Sequence, residues 1–286
     1  MSTLRLENVS VVYSEGTPYE KKALDNISFT IESGKITGLI GHTGSGKSTL
    51  VKTLNGLERP TSGKVYLDGN DIWAKPKKIG SIRFRIGLVM QYPEYQLFEE
   101  TVYRDIAFGP KNMKLSEEEI DSRVRKYAEI VGLEDSDLDK SPFDLSGGQK
   151  RRVAIAGIMA MTPEIIILDE PAAGLDPEGK DTIFDAIQKY REDTGATVII
   201  VSHSMEDMAE RCDNVAILRN GKLEAFGSKR SIFSDPARLT DAGLDIPEIT
   251  SAALLLKEKG IDLGPVYTVK EAAFRLVKLL NEKGDF

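Results

Sequence analysis

One stretch of nine residues, Gly41 to Thr49, constrains this sequence more than any other feature. It reads Gly-His-Thr-Gly-Ser-Gly-Lys-Ser-Thr, follows an apolar run at Ile36–Ile40 and continues into helix-forming residues at 48–57. Glycine tolerates positive φ, so successive amides can turn towards one anion, and the positive end of the next helix attracts it further. The pattern predicts a strand, a phosphate-binding loop and a helix, and this context argues against a chance glycine turn.

Within the loop, we expect Lys47 to reach the β- and γ-phosphates of a nucleotide and Ser48 to offer its hydroxyl to Mg²⁺. His42 stands at a variable position of the pattern and receives no role of its own. The predicted nucleotide-binding residues of the loop are Gly41, His42, Thr43, Gly44, Ser45, Gly46, Lys47, Ser48 and Thr49.

Two adjacent carboxylates follow a second apolar run, residues 165–168. Asp169 is predicted to hold Mg²⁺ through water, and Glu170 to polarise the attacking water, because phosphoryl transfer depends mainly on positioning and charge stabilisation. An acidic surface pair is the alternative interpretation. It loses weight when the strand belongs to the same sheet as a phosphate loop.

His203 comes directly after the next apolar run, residues 197–202, and so should emerge at the same edge of the sheet. We expect it to hydrogen-bond the γ-phosphate and the water, although a lone histidine is more often structural. Tyr13 precedes the first loop and could stack on adenine. A simple surface tyrosine is nearly as well supported there.

A second glycine-rich element, Leu-Ser-Gly-Gly-Gln at residues 145–149, opens a predicted helix. Ser146 and the amides of Gly147 and Gly148 would form an anion-binding helix terminus. The alternative is an ordinary N-cap. Together with Gln149, these residues predict a chain that completes the nucleotide site of another subunit.

Composition leaves room for one large domain with an appendage. The 286 residues include 41% hydrophobic and 29% charged residues, and the net charge of −7 argues against a dedicated nucleic-acid binder. One cysteine excludes an internal disulfide and is typical of a reducing compartment. No apolar run reaches the roughly 18–20 residues that a bilayer requires, and the N-terminus lacks a secretory signal, so a cytosolic chain is expected.

Apolar runs that alternate with helical patterns predict an α/β fold with a parallel core sheet covered on both faces. Alternation at residues 3–12 and 27–31 adds an N-terminal antiparallel subdomain, and residues 100–160 form a helical subdomain. We assign residues 1–228 to one cassette and residues 229–286 to a C-terminal helical extension. In that extension the pattern predicts two apolar helix faces: Ile249, Ala253 and Leu256, then Val269, Ala273, Leu276 and Leu280.

Taken together, the motifs resemble those of the ATPases of ABC transporters. The matching elements include the phosphate loop, Leu-Ser-Gly-Gly-Gln, Asp169-Glu170, the Gly-Leu-Asp-Pro turn at 174–177 and His203, in the family's order. The resemblance implies a phosphate-loop cassette that hydrolyses ATP with Mg²⁺. It also implies a head-to-tail pair with two shared ATP sites, Gln91 as a further Mg²⁺ and water contact, and Asp176 as the link between the sites.

A narrower resemblance is carried by Gln-Tyr-Pro-Glu-Tyr-Gln-Leu-Phe at 91–98, Phe-Gly-Pro-Lys-Asn at 108–112 and Gly-Leu-Asp-Ile-Pro-Glu-Ile-Thr at 243–250. These segments are similar to the ATPases of energy-coupling-factor transporters, most of all the second of two paired, non-identical chains. Such proteins take up vitamins and related micronutrients in prokaryotes. The resemblance implies a peripheral protein at the cytoplasmic face of the membrane, with a related ATPase, a membrane coupling subunit and a substrate-binding membrane subunit as partners.

Two regions would then contact partners. An apolar helix of the membrane partner would dock at Tyr92, Pro93, Glu94, Gln96, Leu97 and Phe98, with Tyr95 among them. The C-terminal extension would dimerise. Internal packing is an equally open interpretation of the extension's periodicity and nearly so for the docking segment.

Other readings compete with this one. An ATPase of a cobalt, nickel or methionine importer shares the cassette but not the peptide at 91–98 or the tail. A soluble ABC protein of DNA maintenance needs a long coiled coil, for which the roughly 100 residues from Gly46 to Leu145 leave no room. A nucleotide switch that barely hydrolyses ATP is a third. The motif Asn-Met-Lys at 112–114 departs from the subgroup's Asn-x-Gly, and nothing in the chain identifies the transported substrate or the partner ATPase.

Overall fold

The computed structural model describes residues 2–283. Its centre is a six-stranded sheet in the order β10-β9-β3-β8-β7-β6, in which all neighbours are parallel except the hairpin β9–β10. The strands are β3 (Ile36–Ile40), β6 (Ile86–Val89), β7 (Ile165–Asp169), β8 (Thr197–Val201), β9 (Asn214–Arg219) and β10 (Lys222–Ser228). The predicted parallel core sheet is therefore confirmed.

A smaller antiparallel sheet, in the order β2-β1-β4-β5, comes from the N-terminal part of the chain. Its strands are β1 (Leu4–Tyr13), β2 (Lys21–Ile31), β4 (Ser62–Leu67) and β5 (Asn70–Asp71). The sequence pattern predicted β2 only from residue 27. Its first half pairs with β1 through several register shifts, which interrupt the alternation that marks a strand in the sequence.

Helices cover the faces of the central sheet. They are α1 (Lys47–Asn55), α2 (Ile79–Arg85), α3 (Val102–Asn112), α4 (Glu117–Ile130), α5 (Gly147–Ala160), α6 (Pro177–Thr194) and α7 (Met205–Arg211). Ser116 accepts a hydrogen bond from the amide of Glu119 and so caps the start of α4. The helix α2 was not predicted.

Residues of one strand alternate between two hydrophobic cores because successive side chains point to opposite faces of a sheet. On β7, Ile166 and Leu168 join the core shared with α3 to α6, whereas Ile165 and Ile167 join the core beneath the antiparallel sheet and α1. Burial on both faces explains why β7 and β8 contain the uninterrupted apolar runs Ile165–Leu168 and Val198–Val201.

The C-terminal region is helical, with α8 (Lys229–Phe233), α9 (Pro236–Asp241), α10 (Glu248–Glu258) and α11 (Val269–Lys283). Its residues 284–286 lie outside the described residues. A small separate core forms around Ala253, Leu263, Val266 and Ala272. Tyr267 packs on Phe233 of α8 with 6.1 Å between ring centres, and both residues belong to the larger core, which joins this region to the cassette.

The predicted face of α10 is confirmed, since Ile249, Ala253 and Leu256 all belong to the small core. The predicted face of α11 is wrong in part. The buried side consists of Ala272, Leu276 and Leu279, while Val269 is 72% exposed and Ala273 lies in solvent. The loop residues Leu263 and Val266 fill the core and select a neighbouring face of the helix.

Candidate nucleotide site

The loop between β3 and α1 has the backbone geometry that its glycines predict. Gly44 has φ of 82° and Gly46 has φ of 107°, in the region that favours glycine. A Cβ on Gly46 would lie 2.6 Å from the carbonyl oxygen of Ala23 on β2. Only glycine can therefore let the loop lie this close to the antiparallel sheet.

Lys47 is the cation of this loop, and it is almost fully buried. Its Nζ donates to the carbonyl oxygens of Gly41 and, at 3.1 Å, of His42. Burial lowers the pKa of Lys47, and the charges of Glu170 and Asp169 oppose that effect. Among residues 2–283, the hydrogen-bond partners of this buried ammonium group are two backbone carbonyls, and an anion could satisfy it better.

Asp169 ends β7, and Glu170 follows it with a φ of 54°, which is unusual for a residue other than glycine. The amide of Glu170 donates to the carbonyl of Val201 on β8 at 2.9 Å, which holds this conformation. Burial raises the pKa of Asp169, against the charge of Lys47. Burial, and then the charge of Asp169, raises the pKa of Glu170 to about 7.

His203 lies beside Glu170, as its place after β8 predicted, with Nε2 3.3 Å from Oε1. Burial, and then the charge of Lys47, lowers the pKa of His203, so the imidazole is neutral at pH 7. The contact is therefore not an ion pair, and Oε1 of Glu170 is buried without a hydrogen-bond partner among residues 2–283. A buried acceptor without a partner is costly, and water or substrate would satisfy it.

These groups surround one cavity of about 500 Å³. Its walls include eleven of the predicted residues: Tyr13, Thr43, Gly44, Gly46, Lys47, Ser48, Thr49, Gln91, Asp169, Glu170 and His203. The phenol of Tyr13 lies 3.3 Å from the hydroxyl of Thr49. The structure thus brings together motifs that are far apart in the sequence.

Three predicted loop residues, Gly41, His42 and Ser45, do not line the cavity. Ser45 is completely buried beneath the loop, and its carbonyl accepts from the amide of Gly221 at 2.9 Å. The ring of His42 contacts the carbonyl of Thr43, 2.8 Å away. These three residues shape or flank the loop and do not line the cavity.

Five lining residues were missed by sequence reasoning: Lys21, Lys22, Ala23, Asn220 and Gly221. They come from the start of β2 and from the turn of the β9–β10 hairpin. The pair Asn220-Gly221 is typical of a turn, but nothing in the neighbouring sequence shows that this turn contacts the phosphate loop.

Oxygen donors for a cation stand on one side of this cavity. Ser48, Gln91 and Asp169 all line it. Hard oxygen ligands are what Mg²⁺ prefers, and the raised pKa of the buried Asp169 is a strain that a divalent cation would relieve. Residues 2–283 gather no cluster of three or more His, Cys, Asp or Glu side chains suited to a metal, so phosphate or water oxygens would have to complete the set.

The residues predicted to complete another subunit's nucleotide site, Ser146 to Gln149, form a different surface. They are called the signature residues, and α5 the signature helix. Ser146 caps α5 by accepting from the amide of Gln149 at 3.3 Å, and Gln149 accepts in return from the amide of Ser146 at 3.0 Å. Ser146, Gly148 and Gln149 share a cavity of about 400 Å³ with Asp176, which itself caps α6. Gly147 is exposed beside it. Within the described chain no residue lines both cavities.

The predicted docking segment, residues 92–98, divides into exposed and buried residues. Tyr92, Gln96 and Phe98 are exposed, and Tyr95 is 84% exposed. Pro93 is buried, and Leu97 packs against the larger core. Glu94 pairs with Arg151 of α5. A shallow apolar groove of about 290 Å³ begins at Gln96 and Phe98 and continues along α3 and α5.

Comparison with known proteins identifies the family to which this chain belongs. Residues 24–173 match the ABC transporter family. The energy-coupling factor transporter ATP-binding protein EcfA2 of Caldanaerobacter subterraneus is 51% identical over 97% of this chain and 98% of its own, and that of Clostridium acetobutylicum is 50% identical over the same shares. The chain belongs to the ABC transporter family.

Solved structures agree with this membership. The structure of cbiO1 from Clostridium perfringens, described as part of the ABC transporter complex cbiONQ, covers 86% of this chain and 96% of its own at 38% identity with a TM-score of 0.73. A dimer of the ATP-binding cassette MJ0796 in a post-hydrolysis state with ADP and Pi covers 79% of this chain and 99% of its own at 30% identity, with a TM-score of 0.72. The cassette fold is thereby confirmed. Among residues 2–283, every helix is too short or too polar to reach across a lipid bilayer.

Proposed function

We propose that this ABC protein is the ATP-binding and ATP-hydrolysing subunit that energises an energy-coupling-factor transporter for vitamins or related micronutrients. One observation carries the proposal: ATP-binding proteins of such transporters match this chain almost from end to end at about half identity. The cbiO1 chain of the cbiONQ complex is less similar, at 38%. The cavity adds the chemistry, because it holds an ammonium group, two carboxylates and an imidazole around a space for a triphosphate.

In the proposed reaction, the loop amides and Lys47 hold the phosphates of ATP. Glu170, the carboxylate whose Oε1 is buried without a partner, orients and polarises the attacking water. Neutral His203 donates to the γ-phosphate from its place beside Glu170. Mg²⁺ held by Ser48, by Gln91 and by Asp169 through water would neutralise phosphate charge when bound. Tyr13 stacks on the adenine.

The second part of the proposal concerns assembly. Ser146, Gly147, Gly148 and Gln149 lie outside the chain's own cavity, so we assign them to a nucleotide held by another ATPase, with Asp176 between the sites. A related, non-identical partner is favoured, and an identical one is possible. The helix dipole and the glycine amides at this terminus suit a phosphate group.

Contact with the membrane subunits is assigned to the exposed part of residues 92–98, which would place the chain at the cytoplasmic face of the membrane. Tyr95 and Phe98 are large side chains exposed to solvent, and Phe98 lines the apolar groove. We also assign pairing of the two ATPases to the C-terminal extension. Val269, Phe274 and Val277 are exposed on α11, outside the small core.

Purification from its own membranes tests the proposal most directly. A tagged chain should bring with it a second ATPase and two membrane chains, each identified by mass. The purified assembly in lipid vesicles should take up substrate only with ATP and Mg²⁺, and the Glu170→Gln variant should assemble but not transport. Recovery of the chain with no membrane protein, or uptake that does not depend on ATP, would refute the assignment.

A further inference from the structure

One arginine of the signature helix α5 contacts two loops that serve the chain's own nucleotide cavity. The side chain of Arg151 is only 6% exposed. Its Nη2 lies 3.3 Å from Oε1 and 3.4 Å from Oε2 of Glu94, and its Nε lies 3.4 Å from Oε2. Its Nη1 donates to the carbonyl oxygen of Ala173. A single buried guanidinium therefore joins three separate segments.

The positions of the three segments relate these contacts to the two cavities. Glu94 lies in the short turn Pro93–Gln96, directly beyond Gln91 of the cavity wall. Ala173 lies in the loop that begins at Glu170, and its amide donates to the Glu170 carbonyl at 3.3 Å. Arg151 stands on the helix that Ser146 begins. Since no described residue lines both cavities, this side chain supplies an indirect connection, through segments that neighbour the wall residues of each.

The chemistry of arginine suits this arrangement. A guanidinium presents several donors in a rigid plane, so it can hold a carboxylate on one edge and a carbonyl on another at the same time. Lysine is a single point charge and cannot reproduce that geometry. Because both charged groups are largely withdrawn from water, removal of either one leaves the other as an uncompensated buried charge. The helix therefore cannot move away from either loop without a large local cost.

We propose that Arg151 is a positioning residue that holds the signature helix to the segments beyond Gln91 and Glu170. The placement of Ser146 against a partner's nucleotide then depends on the arrangement of this chain's own cavity. The inference rests on the proposed function, because Ser146 has a nucleotide to meet only in the paired ATPase. It adds a residue that lies in neither cavity and touches no reacting atom.

The test uses the complete transporter, purified with its partner chains, and the variants Arg151→Gln, Arg151→Lys and Glu94→Gln. We expect each to lower kcat for ATP about tenfold while the dissociation constant for ATP, measured without Mg²⁺, changes by less than about threefold. The double variant Arg151→Gln with Glu94→Gln should lose no more than the worse single variant, because both break the same contact. Glu94→Gln keeps the test valid if the arginine variants fold poorly, since Glu94 is the more exposed partner.

Arg123 of α4 offers a matched control. It supports the far end of α5 through the carbonyl of Ala160 at 3.2 Å and the hydroxyl of Thr162 at 2.8 Å, and it pairs with Glu119. Arg123→Gln should lower the thermal midpoint but leave kcat per folded transporter unchanged.

Three results would overturn the inference: a normal kcat in Arg151→Lys and Glu94→Gln, additive losses in the double variant, or an equal loss of kcat in Arg123→Gln. If the unaltered transporter neither binds nor hydrolyses ATP, the proposed function fails instead. The two failures are thus distinguishable.

Discussion

The two cavities of this chain differ in charge and in burial. The phosphate-loop cavity contains Lys47, Asp169 and Glu170, each at least nine-tenths buried, and shifts the pKa of every one of them. The signature surface carries an exposed serine that exchanges two hydrogen bonds with Gln149 within its own helix turn. The first cavity therefore holds buried groups with shifted pKa values, whereas the second surface presents an exposed helix terminus.

The difference indicates which end does chemistry and which end completes a site. Buried, mutually perturbed titratable groups are typical of a reacting centre, because folding has already supplied the cost of their desolvation. An exposed helix terminus can bind an anion through its glycine amides without reorganisation. The comparison predicts that changes in the first cavity act within one chain, whereas changes in the second act only in the assembled pair.

The largest effect should come from Glu170→Gln. We expect turnover to fall by about 10²- to 10⁴-fold, because the amide cannot act as a base towards water, while ATP binding is retained. Phosphate release measures the first quantity and equilibrium binding the second. Hydrolysis at the normal rate would show that Glu170 is not the catalytic carboxylate.

Ser146→Ala should lower turnover of the assembled transporter by about 10²-fold, through loss of a donor to phosphate at the partner's site. ATP binding to the isolated chain should not change. Ser116→Ala is the matched control, since Ser116 caps α4 with the same 3.3 Å hydrogen bond and lies in neither cavity. Equal losses of turnover in the two variants would reduce Ser146 to an ordinary cap.

Gly46→Ala should destabilise the fold by about 2–3 kcal/mol and abolish ATP binding, because it combines a strained φ with a clash against β2. Gly44→Ala meets nothing within 4 Å and should lose only about 1 kcal/mol. Urea unfolding with and without ATP measures both. Similar losses in the two variants would mean that close approach to β2 is not the constraint.

Two carboxylates at opposite ends of β7 should respond oppositely to pH. Folded Glu170 keeps its proton until about pH 7, whereas the unfolded chain releases it near 4.5, so stability falls as pH rises through that interval. The hydrogen bond from Arg85 lowers the pKa of Glu164, which therefore stabilises above 4.5 and loses that effect as pH falls through its folded pKa.

Thermal midpoints without nucleotide test this pair. From about pH 5 to about pH 8, Glu170→Gln should gain on the unaltered chain as the pH rises, whereas Glu164→Gln should be the less stable throughout. A constant difference for Glu170→Gln would contradict the raised pKa.

The smallest effect is expected at Tyr13, on the rim of the cavity. Tyr13→Ala should weaken ATP binding about three- to tenfold by removing an aromatic face for adenine. Tyr13→Phe keeps the ring but loses the contacts with Thr49 and Glu58, and should bind ATP nearly as well as the unaltered chain. Equal weakening in both variants would assign the effect to the hydroxyl.

Much of the fold was predictable where the signal is local. The bounds of β3 agree with the apolar run that predicted them, β8 ends one residue before its predicted end, and Ser146 begins a helix as expected. The first half of β2, the helix α2 and the buried face of α11 were not found. In the first and the last case a contact from elsewhere overrides the local pattern: register shifts against β1 for the strand, and loop residues that fill the small core for α11.

The sequence alone determined the order of the motifs, the parallel sheet that gathers them, and the loop that only glycine can form. These features depend on neighbouring residues, whose periodicity and backbone preferences are visible in one dimension. Tertiary structure decided the rest: the raised pKa of Glu170, the hairpin turn against the phosphate loop, and the contact of Arg151 with two distant loops. Burial and long-range contact set those properties, and no spacing along the chain encodes them.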